Sequence, residues 1–133
     1  MRKIVIVTLI GLGIFTACSK KKTINAVDDD LTQGTWKVTF YEEDGVNETS
    51  DYSAYVFSFK TDGSIVATLS STSISGTWAT NKDDEHVDFI LNLPVPLDGL
   101  SEDWEIQNNS STKLELKDIS GDGTLEYLTF EKI

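Results

Sequence analysis

From residue 31 onward the chain alternates apolar and polar positions with period two, the spacing that sends successive side chains to opposite faces of a strand. Trp36, Val38 and Phe40 share one face of a first strand, with Lys37 and Thr39 on the other. Tyr55, Phe57 and Phe59 alternate with Val56, Ser58 and Lys60 in a second. Thr61-Asp62-Gly63-Ser64 then suits a tight hairpin turn with positive φ, and Ile65, Ala67 and Leu69 return as a third strand. Ile74, Gly76 and Trp78 make a fourth, followed by the charged turn from Asn81 to Glu85. Val87, Phe89, Leu91 and Leu93 make a fifth, ended by Pro94 and Pro96, which cannot donate ladder hydrogen bonds. Trp104 and Ile106 start a sixth, Leu114 and Leu116 mark a seventh, and Leu128 and Phe130 an eighth. No window of helical length shows apolar spacing of three and four. The pattern predicts an all-β domain, an eight-stranded up-and-down antiparallel β-barrel. A two-sheet β-sandwich is the alternative, because strand counting does not separate closure from stacking. Eight strands enclose an interior that side chains just fill, or that holds one small ligand.

The first eighteen residues follow a different pattern. Arg2 and Lys3 precede an apolar run from Ile4 to Phe15, and small residues Thr16 and Ala17 lead into Cys18, the only cysteine. A spanning helix needs about 20 residues, and Ile4–Ala17 has 14, so residues 1–17 read as a removed secretory signal. Phe15-Thr16-Ala17-Cys18 resembles the lipobox of bacterial lipoprotein signals, with Phe15 in place of the usual Leu. The resemblance implies a diacylglycerol thioether on Cys18, cleavage before it, and acylation of the new amino terminus by a chain such as palmitate. One acyl chain binds a bilayer only marginally, at about 10⁴ M⁻¹, whereas several hold it stably. Residues 18–30 read as the acylated cysteine and a flexible tether, with Lys20–Lys22 near the membrane and Asp28–Asp30 beside the domain. The lysines could hold anionic head groups or form a solvated charge run.

Signal removal sharpens the charge balance. The 133-residue chain has a formal charge of −11, which becomes −13 once Arg2 and Lys3 leave. Such an acidic chain argues against nucleic acid or anionic lipid as a partner of the domain. No disulfide can form within residues 31–133, so a single hydrophobic core carries the fold.

Leu31-x-x-Gly34-Thr35-Trp36 before the first strand is similar to the Gly-x-Trp signature of the lipocalin superfamily, and Gly76-Thr77-Trp78 repeats the triplet. With the lipobox and strand count, residues 31–133 look like the barrel domain of lipocalin-like lipoproteins of Bacteroidota. That resemblance implies that Gly34 and Trp36 form the barrel floor, the glycine letting the chain bend and the indole plugging the end. It further implies a membrane-anchored binder of a small apolar ligand, with Tyr55, Phe57, Phe59, Trp78, Phe89 and Trp104 as candidate lining residues. Two departures stand out. Larger lipocalins cover the floor tryptophan with a late Arg, whereas residues 18–133 contain no arginine, and Lys132 is the available substitute, a point charge rather than a planar stack. They also carry a helix after the last strand, whereas this sequence reaches Ile133 about three residues past its last apolar strand position. A shorter barrel is expected.

Catalytic chemistry finds little to stand on. His86 is the only histidine and sits among Asp83, Asp84, Glu85 and Asp88, and one turn histidine does not make a triad. The acid pairs Glu42/Glu43 and Asp103/Glu105 read as solvated turn charge. We expect no enzyme, no cofactor and no metal. One stretch, Asp118-x-Ser120-x-Asp122-Gly123, matches the start of a calcium loop, but Thr129 stands where the bidentate Glu belongs, and hairpin turn chemistry is the competing reading. Three functional classes remain: an apolar-ligand binder, a protein-interaction or scaffold module presenting the loops 44–53 and 94–103, and a glycan accessory with exposed tryptophans. Expected partners are the bilayer, through acylated Cys18, and a small apolar ligand, with no nucleic acid and a monomeric state. The expected location is the outer membrane, on its periplasmic face or at the cell surface.

Overall fold

The computed structural model describes residues 24–82 and 87–133. Cys18, the signal, the lysine triplet and His86 lie outside the described residues. The described elements are α1 (Ile24–Leu31), β1 (Trp36–Glu43), β2 (Val46–Asn47), β3 (Val56–Phe59), β4 (Ser64–Leu69), β5 (Thr72–Lys82), β6 (Val87–Asn92), β7 (Glu102–Asn109), β8 (Lys113–Ile119) and β9 (Leu125–Lys132). Consecutive strands from β3 to β9 pair antiparallel, and β1 pairs with both β3 and β9, so the sheet closes. The protein is an eight-stranded antiparallel barrel, with β2 a two-residue appendage on β1.

Closure is asymmetric. β1 and β9 pair along their whole lengths, from Trp36↔Lys132 to Glu43↔Glu126. Between β1 and β3 the ladder is the single bridge Trp36↔Phe57. Beyond that bridge, segment 44–55 takes up β1's outer hydrogen bonds: the Tyr41 amide donates to Thr49 Oγ1 at 2.9 Å, and the Glu48 amide donates to the Tyr41 carbonyl at 2.9 Å.

Hairpin chemistry follows the sequence at both Asp-Gly turns. Gly63 has φ +89°, and Asp62 Oδ1 accepts the Ser64 amide at 2.9 Å. Gly123 has φ +90°, and Asp122 Oδ1 accepts both the Thr124 amide and the Ser120 hydroxyl, at 2.9 Å each. The stretch 118–123 that resembled a calcium loop is thus the β8–β9 hairpin, and its aspartates serve different ends. Asp122 holds the turn. Asp118 lies back in β8, on the inward face.

The alternation runs as read through the apolar positions of the later strands, although β7 carries a register shift between Ile106 and Asn108, beyond which Asn109 is buried. A register shift between Val38 and Phe40 rotates the rest of β1, so Tyr41 enters the core and Phe40 turns to the half-buried outer face. A bulge of this kind is invisible to a period-two count. The two glycines of the repeated triplet also do different work. Gly34 has φ +81°, as a bend into the strand requires, whereas a Cβ on Gly76 would collide with the Asn92 carbonyl across the β5–β6 ladder.

One expectation is corrected outright. Residues 24–31 are a helix packed on the barrel and not part of a tether, with Val27 and Leu31 fully buried. Only one stripe of this helix is apolar, and eight residues are too few to stand alone in water. Its stability therefore comes from docking. Thr80 Oγ1 donates to Asp28 Oδ1 at 2.8 Å, and Asn109 Nδ2 donates to Asp30 Oδ2 at 3.1 Å. Two of the three acids read as linker charge are helix-to-barrel fasteners.

The interior is aromatic. Phe59 meets Trp36, Trp78, Phe89 and Phe130 edge-on at centroid distances of 6.4, 5.6, 5.9 and 5.5 Å. Each indole finds a backbone carbonyl at 3.0 Å: Trp36 on Leu31, Trp78 on Lys60 and Trp104 on Leu100. Trp36 closes the helix end as the barrel floor, and Lys132 Nζ sits 5.2 Å from its ring centroid, a cation–π contact where lipocalins place an arginine. Phe59→Ala should cost about 3–5 kcal/mol, the range for emptying a buried Phe site. The check is a fall in the urea midpoint with an unchanged slope, against Ser58→Ala as the near-neutral neighbour.

Candidate functional site

The residues proposed to line a ligand cup lie in the core. Phe57, Phe59, Phe89 and Trp104 are buried within the barrel, Trp78 nearly so, and Tyr55 is half-buried at the start of β3. Their neighbours are one another: Phe57 meets Phe130 at 5.2 Å and Tyr55 at 6.3 Å, and Trp78 meets Phe89 at 6.1 Å. The described surface hollows are polar instead. One, of about 420 Å³, lies where α1 meets the barrel, between Asp28, Asp29, Thr32, Thr61 and Trp78. The other, of about 280 Å³, is lined by Asp88, Asp103, Glu105, Lys117, Asp118 and Ile119.

The second hollow borders the most unusual chemistry in the molecule. At the end opposite α1, the inward-facing rows of four neighbouring strands finish in carboxylates. Glu43 follows Tyr41 by two residues in β1, Glu126 precedes Leu128 by two in β9, Asp118 follows Leu116 by two in β8, and Glu102 precedes Trp104 by two in β7. Inward alternation thus carries each strand one step past its last apolar side chain. Cross-strand register sets Glu126 directly opposite Glu43 on one side and Asp118 on the other. Single carboxylate oxygens of Glu102, Asp118 and Glu126 lie within 4.8 Å of one another.

Above this row the chain folds over the barrel. Leu93, Leu97 and Leu100 are buried beneath the 93–101 segment, and the Tyr41 hydroxyl donates to the Gly99 carbonyl at 3.1 Å. Tyr52 packs edge-on to Tyr41 at 4.9 Å. Both phenols are held above their ordinary range, first by burial and then by the surrounding acids. Glu126 is only 5% exposed, and its Oε2 atom has no hydrogen-bond partner. Burial first, then the Glu102 charge and the Glu43 and Asp118 carboxyls, push its pKa from 4.5 to about 8. Glu102 is raised as well, by burial first and then by Asp118 and Glu43.

The sequence reading passed over this row because its members come from four strands and only the fold brings them together. Glu43 reads as exposed charge and is exposed at the end of β1, whereas Asp118 reads as a loop aspartate and lies in β8. The usable signal was the alternation itself: one further step along the inward face reaches a carboxylate in β7, β8 and β9, whereas in β1 the bulge puts Glu43 in the place the alternation gives to Glu42.

No family model matches the chain, and no curated protein matches it significantly. Among solved structures, the fold is similar to a DUF4847 family protein from Bacteroides vulgatus ATCC 8482, with a TM-score of 0.54 and 19% identity, covering 79% of this chain and 96% of that one. The likeness is one of fold.

The raised Glu126 pKa fixes a sign for pH dependence. The folded state holds this proton more tightly than the unfolded chain, so its contribution to stability is complete below pH 4.5 and is lost as pH rises towards about 8. The groups facing it from β1, β7 and β8 are Glu43, Glu102 and Asp118, all acidic. Glu126→Gln should remove most of that slope and raise Tm at pH 8 by roughly 5 °C, about what 1 kcal/mol produces in a domain of this size. Thermal melts of both forms in metal-free buffer at pH 5 and pH 8 check it.

Proposed function

We propose that this protein is a non-catalytic, lipid-anchored barrel of the outer membrane, on its periplasmic face or at the cell surface, that acts as an interaction module through its exterior and its acidic end. The observation that carries the reading is the packing of the interior. Phe59 meets four aromatic rings at once, so the rings suited to lining a cup are occupied by one another. This favours the scaffold reading over an apolar-ligand binder. A glycan platform loses support for a related reason, since Trp36 and Trp104 are fully buried and Trp78 is 7% exposed.

Anchoring rests on the residues before Cys18, and the helix adds a geometric consequence. Cys18 stands six residues before Ile24, where α1 begins. That allows a reach of at most about 20 Å, half the span of a tether running to residue 30. An anchored barrel would therefore stand with its helix end to the bilayer and its acidic end outward, away from anionic lipid.

Two measurements test the reading. Cells supplied with an alkyne-bearing palmitate analogue should label the wild-type protein and retain it in the membrane pellet, while Cys18→Ser should lose the label and leave the pellet. A lipophilic fluorescent probe titrated into the protein should leave tryptophan emission without a saturable change. Stoichiometric quenching would instead restore the apolar-binder reading.

A further inference from the structure

We infer that the Glu102, Asp118 and Glu126 carboxylates, with Glu43 beside them, form a calcium-binding site at the outer end of the barrel. The inference concerns the barrel alone, so it stands or falls independently of the membrane anchor.

The distances suit one shared ion. Calcium takes oxygen ligands at about 2.3–2.6 Å, so two oxygens on opposite sides of the ion lie at most about 5 Å apart. The three carboxylate oxygens fall within 4.8 Å of one another, inside that limit. A hard, all-oxygen set with no histidine or thiol selects calcium or magnesium over softer metals. Three or four flexible carboxylates on separate strands, partly open to water, favour the larger ion with its loose geometry. Magnesium demands a stricter octahedron and gives up its waters reluctantly.

A second observation points the same way. Glu126 is 95% removed from solvent, and its Oε2 atom has no hydrogen-bond partner, although it faces the other carboxyls. A buried polar atom without a partner costs about 1–3 kcal/mol, and like charges directly opposite across a ladder cost more. In its ionised form Glu126 carries both penalties, with Glu43 and Asp118 at its own register on either side. The buried indole donors are satisfied, and the other buried side-chain atoms without a partner among the described residues are Thr39 Oγ1 and Asn109 Oδ1, neither of them a carboxylate. A divalent cation would remove both penalties at once. Asp118 is also the one member of the row that lines the open hollow of about 280 Å³.

The site differs from the loop resemblance in the sequence. Asp122 and Ser120 are committed to the hairpin, and of that stretch only Asp118 takes part.

The test uses the full chain in detergent micelles, stripped of metal with chelator, and calorimetric titration with CaCl₂ at pH 7.5. One calcium should bind with a Kd of about 10⁻⁴–10⁻³ M, the range of extracellular calcium modules, and Tm should rise with calcium concentration. Glu126→Gln and Asp118→Asn should each weaken binding at least tenfold, while Glu42→Gln, one residue along β1 on the outward face, should leave it unchanged. Glutamine at position 126 removes repulsion without changing shape, and circular dichroism confirms that each variant is folded. The inference is overturned if wild type takes up no calcium, if Glu126→Gln and Asp118→Asn bind as Glu42→Gln does, or if magnesium binds as tightly as calcium, which would mean charge screening alone.

Discussion

The pairing of β1 with β9 is the constraint on which the rest depends. Seven strands from β3 to β9 would otherwise form an open sheet with two exposed edges, the state that invites edge-to-edge association. β1 closes it by pairing with β9 along its full length, while a single bridge ties it to β3. Closure places Trp36 inside the helix end, where Lys132 on β9 covers the indole and the Leu31 carbonyl accepts its N–H. The helix docks on that end because the indole holds its last residue there. The same pairing, at its other end, puts Glu43 across from Glu126.

A barrel of eight short strands has room for side chains or for a ligand, and the residue types decide between them. Here nine aromatic and twelve aliphatic side chains converge, and Phe59 alone meets four of the other aromatic residues. What recognition the molecule has is displaced outward. Its two ends are chemically unlike: one is plugged by α1 through Val27 and Leu31, and the other ends in four carboxylates beneath a loop carrying Leu97 and Leu100. Natural sequences keep propensity, pattern and polar satisfaction in agreement except where function intervenes. In this barrel the buried carboxyl of Glu126, facing three other acids, is one such disagreement.

Much of the architecture was legible in the chain. The eight strands and the Asp62-Gly63 and Asp122-Gly123 turns follow from local pattern. The misreadings share one cause. Phe40 and Tyr41 exchange faces because of a bulge, and the acidic stretch after Val27 becomes helix because its apolar stripe finds the barrel end. In both cases a partner distant in sequence outweighs the local preference.

Alternation along each strand determined which side chains point inward, since successive residues of an extended chain must take opposite faces. That includes the inward placement of Glu102, Asp118 and Glu126, each two residues from an apolar neighbour, whereas Glu43 comes inward only through the bulge in β1. The tertiary structure alone decided that these four inward ends meet. Meeting requires the register of β7, β8, β9 and β1 and the closure of the sheet, and those are set by contacts between segments up to 96 residues apart, between Trp36 and Lys132. A period-two pattern carries no information about which strand lies beside which, or at what offset.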